Sequence, residues 1–222
     1  MSEDANEPCR STTRAMVLLS GGLDSAVALY WARSRGWQVC ALEFDYHERP
    51  ARERRACRDL CLLAGIGEPI AVPLPFLREV SDIPAERLAR ESLRGAPEGY
   101  IPFRNLIFYA LAAYHADILD VRYLVCGHIR TDGMSFPDAR PEFWQQLNRV
   151  LQFAHSSAGE AGIEIVFPLI DLDKGGVIRL GRELGVPFAS TWSCYTDGEE
   201  PCGACPSCRE RARAMAETGF QE

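Results

Sequence analysis

No apolar run in the 222 residues approaches the roughly 20 that cross a bilayer, which argues against a helical membrane protein. The stretch from Met1 to Arg14 is polar and has no apolar core of the kind a secretory leader carries, so a cytoplasmic location is expected. Internal repeats and low-complexity segments are absent, which excludes solenoids and arrays. Lysine is nearly missing: of 24 cationic residues only Lys174 is one. Against them stand 31 acidic residues, for a formal charge of −7, and this acidity argues against a general nucleic-acid coat. The Gly-Lys-Ser/Thr ending of a Walker loop is also absent.

What remains has an ordinary globular composition, 47% hydrophobic and 25% charged. Short apolar runs at 15–19, 37–44, 70–74, 123–126 and 163–167 read as strands. Helical patterns at 24–35, 51–64, 105–117, 141–153 and 173–184 alternate with them. Residues 75–100, rich in Pro and Gly, read as an irregular excursion with a short helix, and 127–140 as a polar loop. The alternation predicts an α/β fold, an open and mostly parallel sheet flanked by helices. The expected organisation is a disordered tail (1–14), an α/β domain (15–190) and a small C-terminal metal-binding segment (191–222). Ligands of such sheets sit beyond the carboxyl ends of the strands, where Ser20–Ser25, Asp45–Arg49 and Gly127–Arg140 converge.

Ser20-Gly21-Gly22-Leu23-Asp24-Ser25 lies between the first strand and the first helix. Two glycines allow close backbone approach, and the free N–H groups of the new helix, with Ser25, face an anion. Asp24 and Ser25 also fit a helix cap with no ligand at all. Nine cysteines are present, and without an export signal a disulfide framework is a poor reading. Four of them, Cys194, Cys202, Cys205 and Cys208, fall within fifteen residues. Four thiolates at this spacing suit a structural zinc ion, with an iron–sulfur cluster as the rival. Cys57 and Cys61 are expected to pack in the interior.

The string Ser-Gly-Gly-Leu-Asp-Ser resembles the pyrophosphate loop of the ATP pyrophosphatase superfamily. The segments Tyr100-Ile101-Pro102-Phe103-Arg104-Asn105 and Pro137-Asp138-Ala139-Arg140-Pro141-Glu142-Phe143 are similar to boxes of the 7-cyano-7-deazaguanine synthase (QueC) family. So are Phe44-Asp45-Tyr46 with Arg49 and Glu53, and the tail from Thr191 to Arg209. The resemblance runs from about Ala15 onward. It implies ATP-dependent adenylation of 7-carboxy-7-deazaguanine, displacement of AMP by ammonia, and a second ATP-dependent round that yields the nitrile for base modification. It implies ATP, magnesium and a structural zinc, and a homodimer, with no membrane and no direct nucleic acid as partners.

By the same resemblance Ser20, Gly21, Gly22, Leu23, Asp24 and Ser25 hold the nucleotide's phosphates. Asp24, Ser25, Arg104 and Lys174 serve catalysis. Tyr46, Arg104, Asn105, Asp132, Phe136, Asp138 and Arg140 meet the substrate. Asp24 would contact metal or water. Asp138 and Arg140 suit the polar edge of a guanine-like ring, or a loop salt bridge; Asn105 suits substrate or a helix cap; Lys174 is also an ordinary helix-start lysine.

Departures cluster in the expected pocket. The family's glycine in the first box is Phe103, a tyrosine is Phe136, a cysteine is Ala139, and His47 stands in the second-strand segment. They admit a ligase of the same acid that uses another amine, such as a protein terminus, in the manner of relatives that accompany antiviral operons. A tRNA-modifying member of the superfamily is a further alternative.

Overall fold

The computed structural model describes residues 13–46, 49–96, 99–154 and 162–220. The expected tail lies almost wholly outside these, as does His47. Five strands form one parallel sheet: β1 (Arg14–Leu18), β2 (Gln38–Tyr46), β3 (Ile70–Leu74), β4 (Tyr123–Val125) and β5 (Glu164–Val166), in the order β3-β2-β1-β4-β5. The helices are α1 (Leu23–Ser34), α2 (Ala51–Leu63), α3 (Arg104–Ile118), α4 (Asp132–Ser135), α5 (Pro141–Ala154), α6 (Lys174–Glu183) and α7 (Pro206–Glu217).

Strand geometry sends successive side chains to opposite faces, and β1 shows it. Ala15, Val17 and Leu19 join the core under α1, α2, α6 and α7, with Val27, Leu29, Leu60, Ile178 and Met215. Met16 points the other way, into a core with Leu42, Tyr109, Trp144 and Ile165 under α3 and α5. Both faces of the sheet are therefore covered, as a parallel sheet requires. β1 is the centre, with β2 on one side and β4 on the other. The chain reverses its direction of progress there, which opens a crevice at the carboxyl ends of these strands.

The expected fold is the observed one, with local corrections. β2 runs two residues further than its apolar run, because Asp45 and Tyr46 pair in register with Pro73 and Leu74 of β3. The segment 127–140 is not a plain loop: it holds α4 and a 3-10 turn at Pro137–Ala139. The excursion after β3 contains three 3-10 turns in place of one short helix. Helix α7, not expected as a helix, starts with Pro206 at its first turn, where a missing N–H costs nothing. Ala214 and Met215 of α7 are buried in the core of the α1 face.

Candidate active site

A cavity of about 330 Å³ opens at the crevice. Its wall comes from three strand ends and α3: Ser20, Gly22, Asp24 and Ser25 after β1; Phe44, Tyr46, Arg49 and Glu53 at and after β2; Gly127 and His128 after β4; and Arg104, Asn105, Phe108 and Tyr109.

The loop after β1 is tied to itself. Ser25 Oγ donates to the Gly22 carbonyl at 3.0 Å and accepts from the Ser20 N–H at 3.2 Å, while the Gly22 N–H donates to Ser20 Oγ at 3.2 Å. Gly21 has φ +91°, and a Cβ there would stand 2.3 Å from the Glu53 carbonyl oxygen. Only glycine meets both conditions, so α2 packs directly on the loop backbone. Leu23 differs from its five neighbours in the motif: its side chain is core, and only its backbone is at the loop.

Lys174 Nζ donates to both carboxylate oxygens of Asp24, at 2.7 and 3.0 Å, and lies 3.7 Å from Glu210. It is thus a half-buried ion-pair partner and not a free surface lysine. Burial acts to lower the lysine pKa, but the carboxylates of Asp24, Glu210 and Asp132 outweigh it and hold the group above its ordinary value. For Asp24 burial wins, pushing the carboxyl up against the pull of Lys174. The pair is a preformed charge exchange: an incoming anion can take Lys174, and a cation can take Asp24.

Arg49 is a buried clasp. Its guanidinium donates to the carbonyls of Phe44, at 2.7 Å, and Ser20, and to Glu53 at 3.1 Å; Glu43, buried beneath it, is 3.6 Å away. It joins the end of β2 to the start of the loop after β1. Four residues expected at the substrate, Asp132, Phe136, Asp138 and Arg140, sit outside the cavity lining. The Asp138 carboxylate accepts the Asn105 N–H at 3.0 Å and its carbonyl accepts Asn105 Nδ2 at 2.9 Å, so Asp138 caps α3 and fixes Asn105. Arg140 Nε donates to the Gly133 carbonyl at 3.3 Å. Phe136 lies under the Arg104 guanidinium at 5.7 Å, and Asp132 accepts from the Ile129 N–H and pairs with His128.

The sulfur atoms of Cys194, Cys202, Cys205 and Cys208 lie within 4.8 Å of one another. Backbone N–H groups point at three of them: Cys202 and Thr196 donate to Cys194, Cys205 to Cys202, and Cys208 to Cys205, at 3.3–3.5 Å. Burial acts to raise the Cys194 thiol, but these donors bring its pKa down to about 6. A closed set of four sulfurs with N–H donors behind them fits a structural metal ion. The cluster is tied to the loop after β1: Trp192, two residues before Cys194, donates its N–H to the Gly21 carbonyl at 2.8 Å. Its buried ring packs with Ala56, Cys194 and Cys208.

Sequence reasoning named the loop, Lys174 and the four cysteines as site residues, and the structure brings each group together. It assigned no role to Arg49, Glu53, Phe108, Tyr109, Gly127 or His128, which line the cavity. Gly127 and His128 follow β4 after Cys126, and the strand-end rule pointed to that place without choosing a residue.

Comparison with known proteins agrees with this geometry. Residues 14–219 match the family model described as queuosine biosynthesis protein QueC. A 7-cyano-7-deazaguanine synthase of Thermosynechococcus vestitus is 39% identical over 219 residues, covering 95% of this chain and 94% of that protein. One of Thermoplasma acidophilum is 35% identical over 216 residues, covering 94% and 90%. Among solved structures, NMN synthetase from Francisella tularensis has the same fold, with TM-score 0.51 and 18% identity over 95% of this chain and 78% of that one. The chain belongs to the QueC family.

Proposed function

We propose that this protein is a ligase that converts 7-carboxy-7-deazaguanine to 7-cyano-7-deazaguanine, using ammonia and two molecules of ATP, each cleaved to AMP and pyrophosphate. The observation that carries the reading is the joining of a phosphate loop, the Asp24–Lys174 pair and a cavity walled by aromatic rings in one crevice. Family membership selects the substrate.

A carboxylate is a poor electrophile until one oxygen becomes a leaving group, and positioning plus charge stabilisation must supply most of the effect. The N-terminus of α1, with the Gly22 N–H and the Ser20 and Ser25 hydroxyls, receives the departing pyrophosphate. Lys174 balances its negative charge as the phosphates enter, releasing Asp24. A magnesium ion held by Asp24 would neutralise phosphate oxygens there. Arg104, at the cavity wall, meets the carboxylate or the α-phosphate. Phe44, Tyr46 and Phe108 present rings to a planar heterocycle; Phe44 and Phe108 already stack at 4.1 Å. Asn105, held by Asp138, offers a positioned amide to its edge. Zinc is the metal we assign to the four cysteines, where it has no open position and serves the architecture.

AMP release measured with the acid and with deazaguanine lacking the carboxyl tests this reading. AMP formed only when the carboxyl is present supports it. AMP formation indifferent to the carboxyl overturns it.

A further inference from the structure

The reaction leaves one demand without a residue: the attacking nitrogen must lose protons. We propose that His128 accepts them, with Asp132 behind it as the positioning residue; this rests on the reaction proposed above.

His128 lines the cavity, the residue after Gly127. Gly127 packs so closely on α1 that a Cβ there would come within 3.0 Å of the Asp24 carbonyl carbon and the Ser25 nitrogen. The backbone leading into His128 is therefore set against the first turn of α1. Its Nδ1 faces Asp132 Oδ2 at 3.2 Å, and the same oxygen accepts the Ile129 N–H at 3.0 Å. Burial opposes the charge on Asp132, but the hydrogen bonds from His128 and the Ile129 N–H hold its carboxyl below the ordinary value. An anionic acceptor at Nδ1 keeps the proton on Nδ1 and leaves Nε2 as the basic nitrogen. The ring is braced from the side by Trp144, 4.9 Å between centroids. Among the described residues, Nε2 has no hydrogen-bond partner, and His128 belongs to the cavity wall. A base held by a carboxylate, beside a phosphate loop, is the arrangement of a proton-transfer group.

The steps balance as follows. In the first round the ammonia nitrogen bonds to the acyl carbon of the adenylate, the bond from that carbon to the AMP oxygen breaks, and one of ammonia's three protons passes to Nε2. In the second round the amide oxygen carries AMP. Its bond to carbon breaks as the carbon–nitrogen triple bond forms, and the nitrogen gives up its two remaining protons, one to water as the adenylated amide becomes an imidate and the other to Nε2 as the carbon–oxygen bond breaks. The base returns its proton to water between rounds, and no oxidant or reductant is required.

Adenylation itself needs no such base, which separates the two halves experimentally. Acid-dependent exchange of labelled pyrophosphate into ATP, without ammonia, reads the first half. Amide and nitrile formation with ammonium, followed by mass spectrometry, reads the second. For His128→Gln the exchange is expected to stay within about threefold of the native enzyme, while amide formation falls about 100-fold or more. In His128→Ala, added imidazole is expected to restore part of the amide formation and to leave the exchange unmoved. Asp132→Asn, which keeps an acceptor for the Ile129 N–H, is expected to slow amide formation about tenfold at unchanged KM for the acid. Native rates of amide formation in His128→Gln overturn the assignment, and so does an equal fall of exchange and amide formation. Absence of acid-dependent exchange in the native enzyme instead overturns the reaction and this assignment with it.

Discussion

Lys174 and Asp24, 150 positions apart in sequence, are joined by two hydrogen bonds of 2.7 and 3.0 Å at the end of the loop after β1. Each begins a helix, α6 and α1, so the ion pair also sets how those helices meet. Asp173 fixes the first turn of α6 by accepting the Gly176 N–H at 2.8 Å, which holds Lys174 in place from behind.

Lys174→Met leaves Asp24 with no ammonium beside it. We expect a loss of about 1–3 kcal/mol in denaturant unfolding, since an unpaired, largely buried carboxylate remains. Adenylation should fall about 100-fold or more. The pH dependence has a definite sign. The lysine pKa is raised on folding, so its stabilisation is complete below the ordinary value of 10.5 and is lost as pH rises beyond it. Unfolding measured from pH 8 to 11 should show this alkaline decline in the native protein and a flatter curve in the variant.

The Trp192 N–H bond to Gly21 links the four-cysteine cluster to the loop after β1. Arg211 of α7 supports the same segment, donating to Thr191 Oγ1 at 2.7 Å and to the Phe188 carbonyl at 2.8 Å. Removing the metal with a chelator, or Cys194→Ser, is expected to weaken ATP binding about tenfold or more, together with a loss of thermal stability. Calorimetric titration with ATP against zinc content measured by elemental analysis checks this. Undiminished ATP affinity in zinc-free protein would separate cluster from loop.

Gly21→Ala forces a Cβ to within 2.3 Å of the Glu53 carbonyl at φ +91°. Backbone, not a flexible side chain, must yield. Stability is expected to drop by about 2–4 kcal/mol, and ATP binding with it. A variant with native stability and affinity would mean that α2 does not rest on this loop.

Phe103 makes the opposite case. It stands at φ +55°, ψ +26° just before α3, and its side chain is 67% exposed. The family's glycine at this position suits a left-handed residue, and phenylalanine keeps the conformation at a cost. Phe103→Gly is expected to raise stability by about 0.5–1 kcal/mol, read as an increased denaturant midpoint at unchanged slope. A destabilised variant would show that the ring contributes more than the backbone strain removes.

Strand-length apolar runs, a loop motif and a cysteine spacing made the parallel sheet, the loop at its carboxyl end and the four-cysteine cluster legible in the sequence. Each is a local pattern with a fixed physical meaning. The rest depends on distant contacts. Arg49 is one of 23 arginines until β2 and the loop bring two carbonyls to it. Lys174 reads as well as an ordinary helix-start lysine as a site residue until α1 delivers Asp24. Asp138 and Arg140 read as groups for the substrate's edge, yet their hydrogen bonds go to Asn105 and Gly133, because the turn after α4 folds back on α3. His128 gave no signal of its own, since a histidine after a strand acquires meaning only with its orienting carboxylate.

The most direct test of the whole account is one incubation of purified protein with ATP, magnesium, ammonium and 7-carboxy-7-deazaguanine, analysed by mass spectrometry. The account predicts 7-cyano-7-deazaguanine with two AMP formed per nitrile. AMP or adenylated acid with no nitrile, even at high ammonium, would contradict it and assign the adenylate to a different amine.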